Sequence, residues 1–265
     1  MESLTQVYGK IKPIFHTFVF EIRLQMKKSI IFSIIIILQL FLLYYIRLIF
    51  GSYLFSSLDM FYSNATQYFA FILLPLIVCF FFSGIICSEY KDKTGLTILP
   101  LINKYKLIIG KYFANLFLII GIATIHYLIL ILLGYNFYGK PIPYTWIRSY
   151  GFSVLYILGL GSIVTFFSSF ISSPPLVIIL VFGLIFFAFP MAIDPFFSSL
   201  AYPHEFLRPI FSLDYLSGII TDLTGSAYLT SKSYIRIVAP ALVVLLFYAI
   251  IFFILALLLF KRREL

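Results

Sequence analysis

Six apolar runs, each about the length of a bilayer-crossing helix, constrain this chain more than anything else in it. They cover residues 29–50, 66–87, 107–133, 146–171, 175–193 and 238–260. A helix needs about 20 apolar residues to cross a hydrocarbon core of roughly 30 Å. The 265 residues are 62% hydrophobic and only 11% charged, against about 25% charged in soluble domains. A soluble fold of this length cannot hide six such runs. The runs are continuous rather than alternating, and longer than the roughly 9–11 residues of a barrel strand, which excludes a β-barrel. The sequence therefore predicts an all-α membrane protein with six transmembrane helices.

Charge orients them. Most of the lysines and arginines fall in segments 10–28, 91–111 and 261–263, while the opposite side keeps only Arg47, Lys140, Arg148, Arg208, Lys232 and Arg236. Cytoplasmic loops carry the excess of Lys and Arg, so both termini are expected inside, in a multi-pass protein of the cell membrane. This asymmetry accounts for the net charge of +9 without nucleic acid as a partner. The segment before the first run is not a cleavable signal, because its apolar stretch starts late and lacks a small-residue cleavage site. In residues 1–28, Ile11, Phe15, Phe18 and Ile22 recur at helical spacing with Lys10, Lys12, Glu21 and Arg23 between them. That pattern predicts an N-terminal amphipathic helix lying in the membrane interface. Residues 29–265 then form the six-helix domain.

Within the spans, polar chemistry is sparse. Cys79 and Cys87 stand eight residues apart, about 12 Å along a helix, too far for a disulfide. His16, His126 and His204 fall in three different layers, so no metal site is expected. His126, Gln39 and Asn115 are expected to hydrogen-bond to neighbouring helices. The fourth run gathers Gly151, Gly159, Ser162, Thr165 and Ser169, either for close helix packing or to border a polar path. Ser172-Ser173-Pro174-Pro175 reads as a tight hairpin, since proline suits a helix's first turn. The longest outer segment, 194–236, is proline-punctuated and greasy, and it reads as a lid or outer gate. Its candidate gate residues are Pro203, Glu205, Arg208, Pro209 and Asp214.

No phosphate-binding loop is present: Gly110-Lys111 is followed by Tyr112, and position 105 is Tyr. No soluble domain houses an ATPase, and no span carries the paired charges of many ion-coupled pumps. The chain is thus expected to be no enzyme by itself and to bind no cofactor. Any energy would arrive from another subunit. The port for such a subunit is a polar island, residues 88–111. There Glu89, Lys91 and Asp92 offer charges, Gly95 allows a turn, and Leu96, Leu99 and Leu101 form an apolar patch. Such a stretch can be a short helix that docks into a partner's cleft, or a plain solvated loop.

The run Glu89…Gly95-Leu96-Thr97-Ile98-Leu99-Pro100…Gly110-Lys111 resembles the cytoplasmic loop of the type-2 ABC exporter permeases. In that family an acidic residue leads the loop, a Gly-Thr pair with leucines and a Pro follow, and an apolar-Gly-Lys step enters the third span. Leu96 departs from the usual Thr, and Pro100 sits about one position early. The resemblance implies a permease subunit that pairs with a second permease, identical or not, and binds a cytoplasmic ABC ATPase. ATP and Mg would sit on that partner. Residues 88–106 would be the coupling loop, with Glu89, Lys91, Asp92, Gly95, Leu96, Leu99, Pro100 and Leu101 contacting the ATPase. Two alternatives stay open: an ion- or proton-coupled carrier, and a non-transporting anchor or assembly subunit for a cytoplasmic partner.

Overall fold

A computed structural model describes residues 2–50, 57–91, 103–139, 145–188, 191, 212–225 and 231–262. Among them there are helices and no strands. They run α1 (Glu2–Phe50), α2 (Leu58–Tyr68), α3 (Leu74–Phe82), α4 (Gly84–Lys91), α5 (Lys104–Tyr138), α6 (Thr145–Ser168), α7 (Pro174–Gly183), α8 (Leu213–Gly225) and α9 (Ser231–Arg262). Five stretches are long and apolar enough to cross a membrane: Lys12–Ile49, Leu58–Glu89, Tyr105–Tyr138, Thr145–Ser168 and Ile237–Lys261. A sixth, Pro174–Phe187, is apolar but shorter. By length and composition these helices are compatible with a membrane protein.

The first departure from expectation is α1. Residues 1–28 and 29–50 were expected as separate units, yet 49 residues form one helix, about 73 Å long at 1.5 Å per residue. Nothing between Leu24 and Ile31 can end a helix: that stretch holds neither glycine nor proline. Buried residues lie on both sides of the expected boundary, Thr17 and Glu21 before it and Phe32, Ile36, Leu40 and Leu43 after it, and the helix packs along α5. Outward, Phe15, Phe20 and Leu24 are about 60% exposed, at 60%, 62% and 60%. The N-terminal half thus carries apolar residues on both sides, Ile22 toward the core and Phe15, Phe20 and Leu24 exposed, while Glu21 is buried.

The second apolar run is helical but interrupted twice. A π-helical turn, Phe69–Leu73, links α2 to α3 and sits just before Pro75, whose ring lacks an N–H and crowds the preceding turn. A second break at Ser83 separates α3 from α4. The α5 helix starts on Asn103, whose Oδ1 accepts the Tyr105 N–H at 3.0 Å. It ends on Gly139 in the left-handed region at φ 58°, where the Gly139 N–H donates to the Tyr135 carbonyl at 2.8 Å. The α6–α7 connection is the tight hairpin expected, with Pro174 and Pro175 opening α7. Another π-helical turn, Leu184–Ala188, follows α7.

The centre of the bundle is α6, which packs against α3, α4, α5, α7, α8 and α9. Its small residues explain how. A Cβ on Gly161 would lie 2.8 Å from the Phe82 ring, and one on Gly159 would lie 3.2 Å from the Leu245 carbonyl oxygen. Of the small residues expected on one face of the fourth run, Gly159 thus serves close packing, while a Cβ on Gly151 would meet nothing within 4 Å. Away from the island, Tyr127 Oη lies 2.8 Å from both Ser149 Oγ and Ser153 Oγ, and Ser149 Oγ donates to the Ile220 carbonyl at 2.7 Å. These bonds tie α5, α6 and α8 together.

Candidate functional site

The middle of the island, residues 92–102, lies outside the described residues, and with it Asp92, Gly95, Leu96, Leu99, Pro100 and Leu101. What the structure describes is its frame: α4 leads into it and α5 leads out. Lys91 is the last residue of α4. Glu89, expected as a surface contact, is instead 4% exposed and forms an ion pair with Lys111 of α5, itself 11% exposed. Lys111 Nζ donates to Glu89 Oε1. The cause is helical phase: Glu89 follows Ile85 and Ile86, both buried, by one turn, so α4 turns the carboxylate inward. This pair clamps the two helices that flank the island.

A second fastening lies just above. The break at Ser83 gives α4 its own N-terminus, whose first N–H groups have no intrahelical acceptor. Ser168, at the end of α6, supplies one. Its Oγ accepts from the Ile86 N–H at 3.2 Å and the Cys87 N–H at 3.0 Å, and donates to the Ser83 carbonyl at 2.8 Å. The central helix thus caps α4 from outside the chain segment. Nothing local marks Ser168 for this role, because the cap reaches α4 from more than eighty positions away.

Gly110, the other half of the apolar-Gly-Lys step, has a packing reason. A Cβ there would stand 2.8 Å from Thr17 Cβ and 2.9 Å from the Ile14 carbonyl oxygen, so α1 and α5 touch backbone to side chain at this level. Between α1, α4, α5 and α7, at the same end, opens a cleft of about 780 Å³. Glu89 and Lys111 line it, as do Glu21, Gln25 and Lys28 of α1. Glu21 is 3% exposed; Gln25 Nε2 donates to its Oε1 at 2.8 Å, and its Oε2 has no hydrogen-bond partner. Sequence reasoning placed Glu21 on the solvated face of an interfacial helix. The overlooked signal was Glu21, Gln25 and Lys28 at i, i+4 and i+7, a polar row along one face.

Elsewhere the polar residues do less than expected. His126 is fully buried and stacks on Phe69, ring centroids 3.9 Å apart, with neither ring nitrogen hydrogen-bonded. The Gln39 and Asn115 amides likewise make no side-chain hydrogen bond. The three interhelical hydrogen bonds expected of these residues are thus not formed. Cys79 and Cys87 are free and buried. Among the described residues no three His, Cys, Asp or Glu side chains converge as metal ligands would. Of the gate candidates, Pro203, Glu205, Arg208 and Pro209 lie outside the described residues. Asp214 stands in the first turn of α8, a helix packed against α2 and α6. No protein-family model matches the chain, and no curated protein matches it either.

Proposed function

We propose that this chain is the transmembrane permease subunit of an ATP-driven exporter of the type-2 ABC class. On this reading it spans the cell membrane six times with both termini in the cytoplasm, and it pairs with a second permease subunit. A separate cytoplasmic ATPase, holding ATP and Mg, docks on the island and drives substrate across the bilayer. The observation that carries the reading is the buried Glu89–Lys111 pair. A loop that merely linked two helices would need no charged clamp between its ends. A loop that is pushed does, because force on residues 92–102 must enter α4 and α5 together. Ser168 then passes that movement to α6, which packs against α3, α4, α5, α7, α8 and α9.

The experiment is affinity purification of the chain from its native cells in mild detergent, with mass spectrometry of what accompanies it. A soluble ATPase in equal amount is the expected result. Replacing Leu99 and Leu101 by Asp should detach that ATPase while the chain stays inserted. Recovery of a stable complex without any ATPase would overturn the proposal in favour of an anchor or a carrier.

A further inference from the structure

The cleft beside the clamp has a chemistry that the coupling role does not use. Its apolar walls include Phe80, Leu107 and Ile178, and its volume of about 780 Å³ lies in the small-molecule range of roughly 300–1,000 Å³. At one side Glu21 and Gln25 of α1 line the cleft, and one oxygen of each, Glu21 Oε2 and Gln25 Oε1, is buried and meets no donor. The Gln25 amide spends a donor on Glu21 Oε1, which fixes its oxygen as the free end. Lys111 is engaged by Glu89, and among the described residues no cation pairs with Glu21. A buried carboxylate oxygen without a donor is costly, and buried polar groups in native proteins are nearly always satisfied. A group with several N–H donors and a positive charge, placed in the cleft, would answer both oxygens. The rim says how such a group would arrive: Phe20 and Leu24 line the cleft and are 62% and 60% exposed, continuous with the outward apolar face of α1.

We propose that this cleft binds an amphiphile with an ammonium head and an apolar tail. The head donates to Glu21 Oε2 and Gln25 Oε1, and the tail lies along Phe80, Leu107 and Ile178. Lys28 sits about 10 Å further along α1 from Glu21 and also lines the cleft, so a phosphate carried next to the ammonium has a cation to meet. Two sources share this chemistry: an aminophospholipid of the surrounding bilayer and a soluble long-chain amine. The inference holds whether or not the chain works with an ATPase, since the groups that would meet the ammonium head, Glu21 and Gln25, lie on α1, outside residues 88–111.

The test uses the full chain in phosphatidylcholine nanodiscs, a lipid whose head has no N–H donor, with radiolabelled dodecylamine as probe. Saturable uptake near one molecule per chain is expected, weakened about tenfold or more by Glu21→Gln, as loss of a charge-assisted bond requires. Dodecyltrimethylammonium keeps the charge and tail but cannot donate, and it should compete at least about tenfold more weakly. That comparison needs no variant and survives if Glu21→Gln fails to fold. Uptake no greater than in empty discs, or equal for both amines and unaffected by the substitution, would overturn the proposal. With saturable uptake in hand, exchanging the lipid for phosphatidylethanolamine separates the sources. Loss of dodecylamine uptake assigns the lipid; undiminished uptake assigns a soluble amine.

Discussion

Removing one partner of the Glu89–Lys111 pair should be far more damaging than removing both. Glu89 is 4% exposed and Lys111 11%, so the two single changes are not equivalent. Lys111→Met leaves a carboxylate buried without its lysine, a loss of about 3–5 kcal/mol for a broken buried pair. Glu89→Leu leaves an ammonium on a four-carbon stem that can bend toward water, so about 2–3 kcal/mol is expected, the scale of a lost charged hydrogen bond. The double change Glu89→Leu, Lys111→Met removes both desolvation penalties, and buried pairs replaced by apolar residues are often neutral. The double variant should therefore sit within about 1 kcal/mol of the parent, a coupling of at least about 4 kcal/mol in the cycle. Reversible unfolding in mixed micelles, followed by helical circular dichroism, gives all four stabilities. If the double variant loses the sum of the two single losses, the side chains do not interact and the clamp is an illusion of proximity.

Four further changes probe the rest of the fold. Ser168→Ala strips the α4 N-terminus of its acceptor and the Ser83 carbonyl of a donor; a loss of about 1–3 kcal/mol in the same unfolding assay is expected, with Ser168→Thr milder. Gly110→Ala forces a methyl against the Ile14 carbonyl, and overpacking of this kind lowers stability by about 1–3 kcal/mol; crosslinking of cysteine pairs between α1 and α5 should then drop. His126→Phe swaps an imidazole without hydrogen bonds for a ring of similar shape stacked on Phe69, so stability should hold or rise by about 1 kcal/mol and any transport should persist. Loss of transport with intact stability would instead favour proton coupling through His126. A cysteine at Lys93 should react with impermeant thiol reagents from the cytoplasmic side only; labelling from outside would invert the topology.

Long apolar helices were legible because the solvent itself enforces them: a chain in lipid must satisfy its backbone internally, and length plus hydropathy reports that directly. The turn before α7 was legible, since Pro174 and Pro175 carry a local steric rule, whereas the break ahead of Pro75 was read through as part of one run. Facing was not legible. The pattern at Phe15, Phe18 and Ile22 shows two sides of a helix but not which side meets the bundle, because lipid rewards exposed apolar residues as much as a core does. Hence Glu21 was placed outward and proved buried. Hydrogen bonds between distant segments were equally hidden: Ser168 to Ser83, or Ser149 to Ile220, needs a register between helices that no local spacing encodes. The reverse error occurred at Gln39 and Asn115, where residue type suggested partners that packing does not supply.

The same logic bears on why polar groups gather at one end of this bundle. Away from the island, hydroxyls close on one another and on backbone carbonyls, as Tyr127, Ser149 and Ser153 do, leaving rigid seams between α5, α6 and α8. At the island end charged groups take the place of hydroxyls and are unequally matched: Glu89 is answered by Lys111, while Glu21 has only an amide. A satisfied hydroxyl seam resists movement, whereas a charged clamp beside an apolar cleft can respond to a pushed loop or an inserted cation. If the bundle moves, it should therefore open first where α1 meets α4, α5 and α7, with the Tyr127 seam as the fixed end. Hydrogen exchange should divide the chain accordingly, with α4 and the start of α5 exchanging before the Tyr127–Ser153 level of α5 and α6. Uniform exchange along α5 would remove any reason to assign the two ends different work.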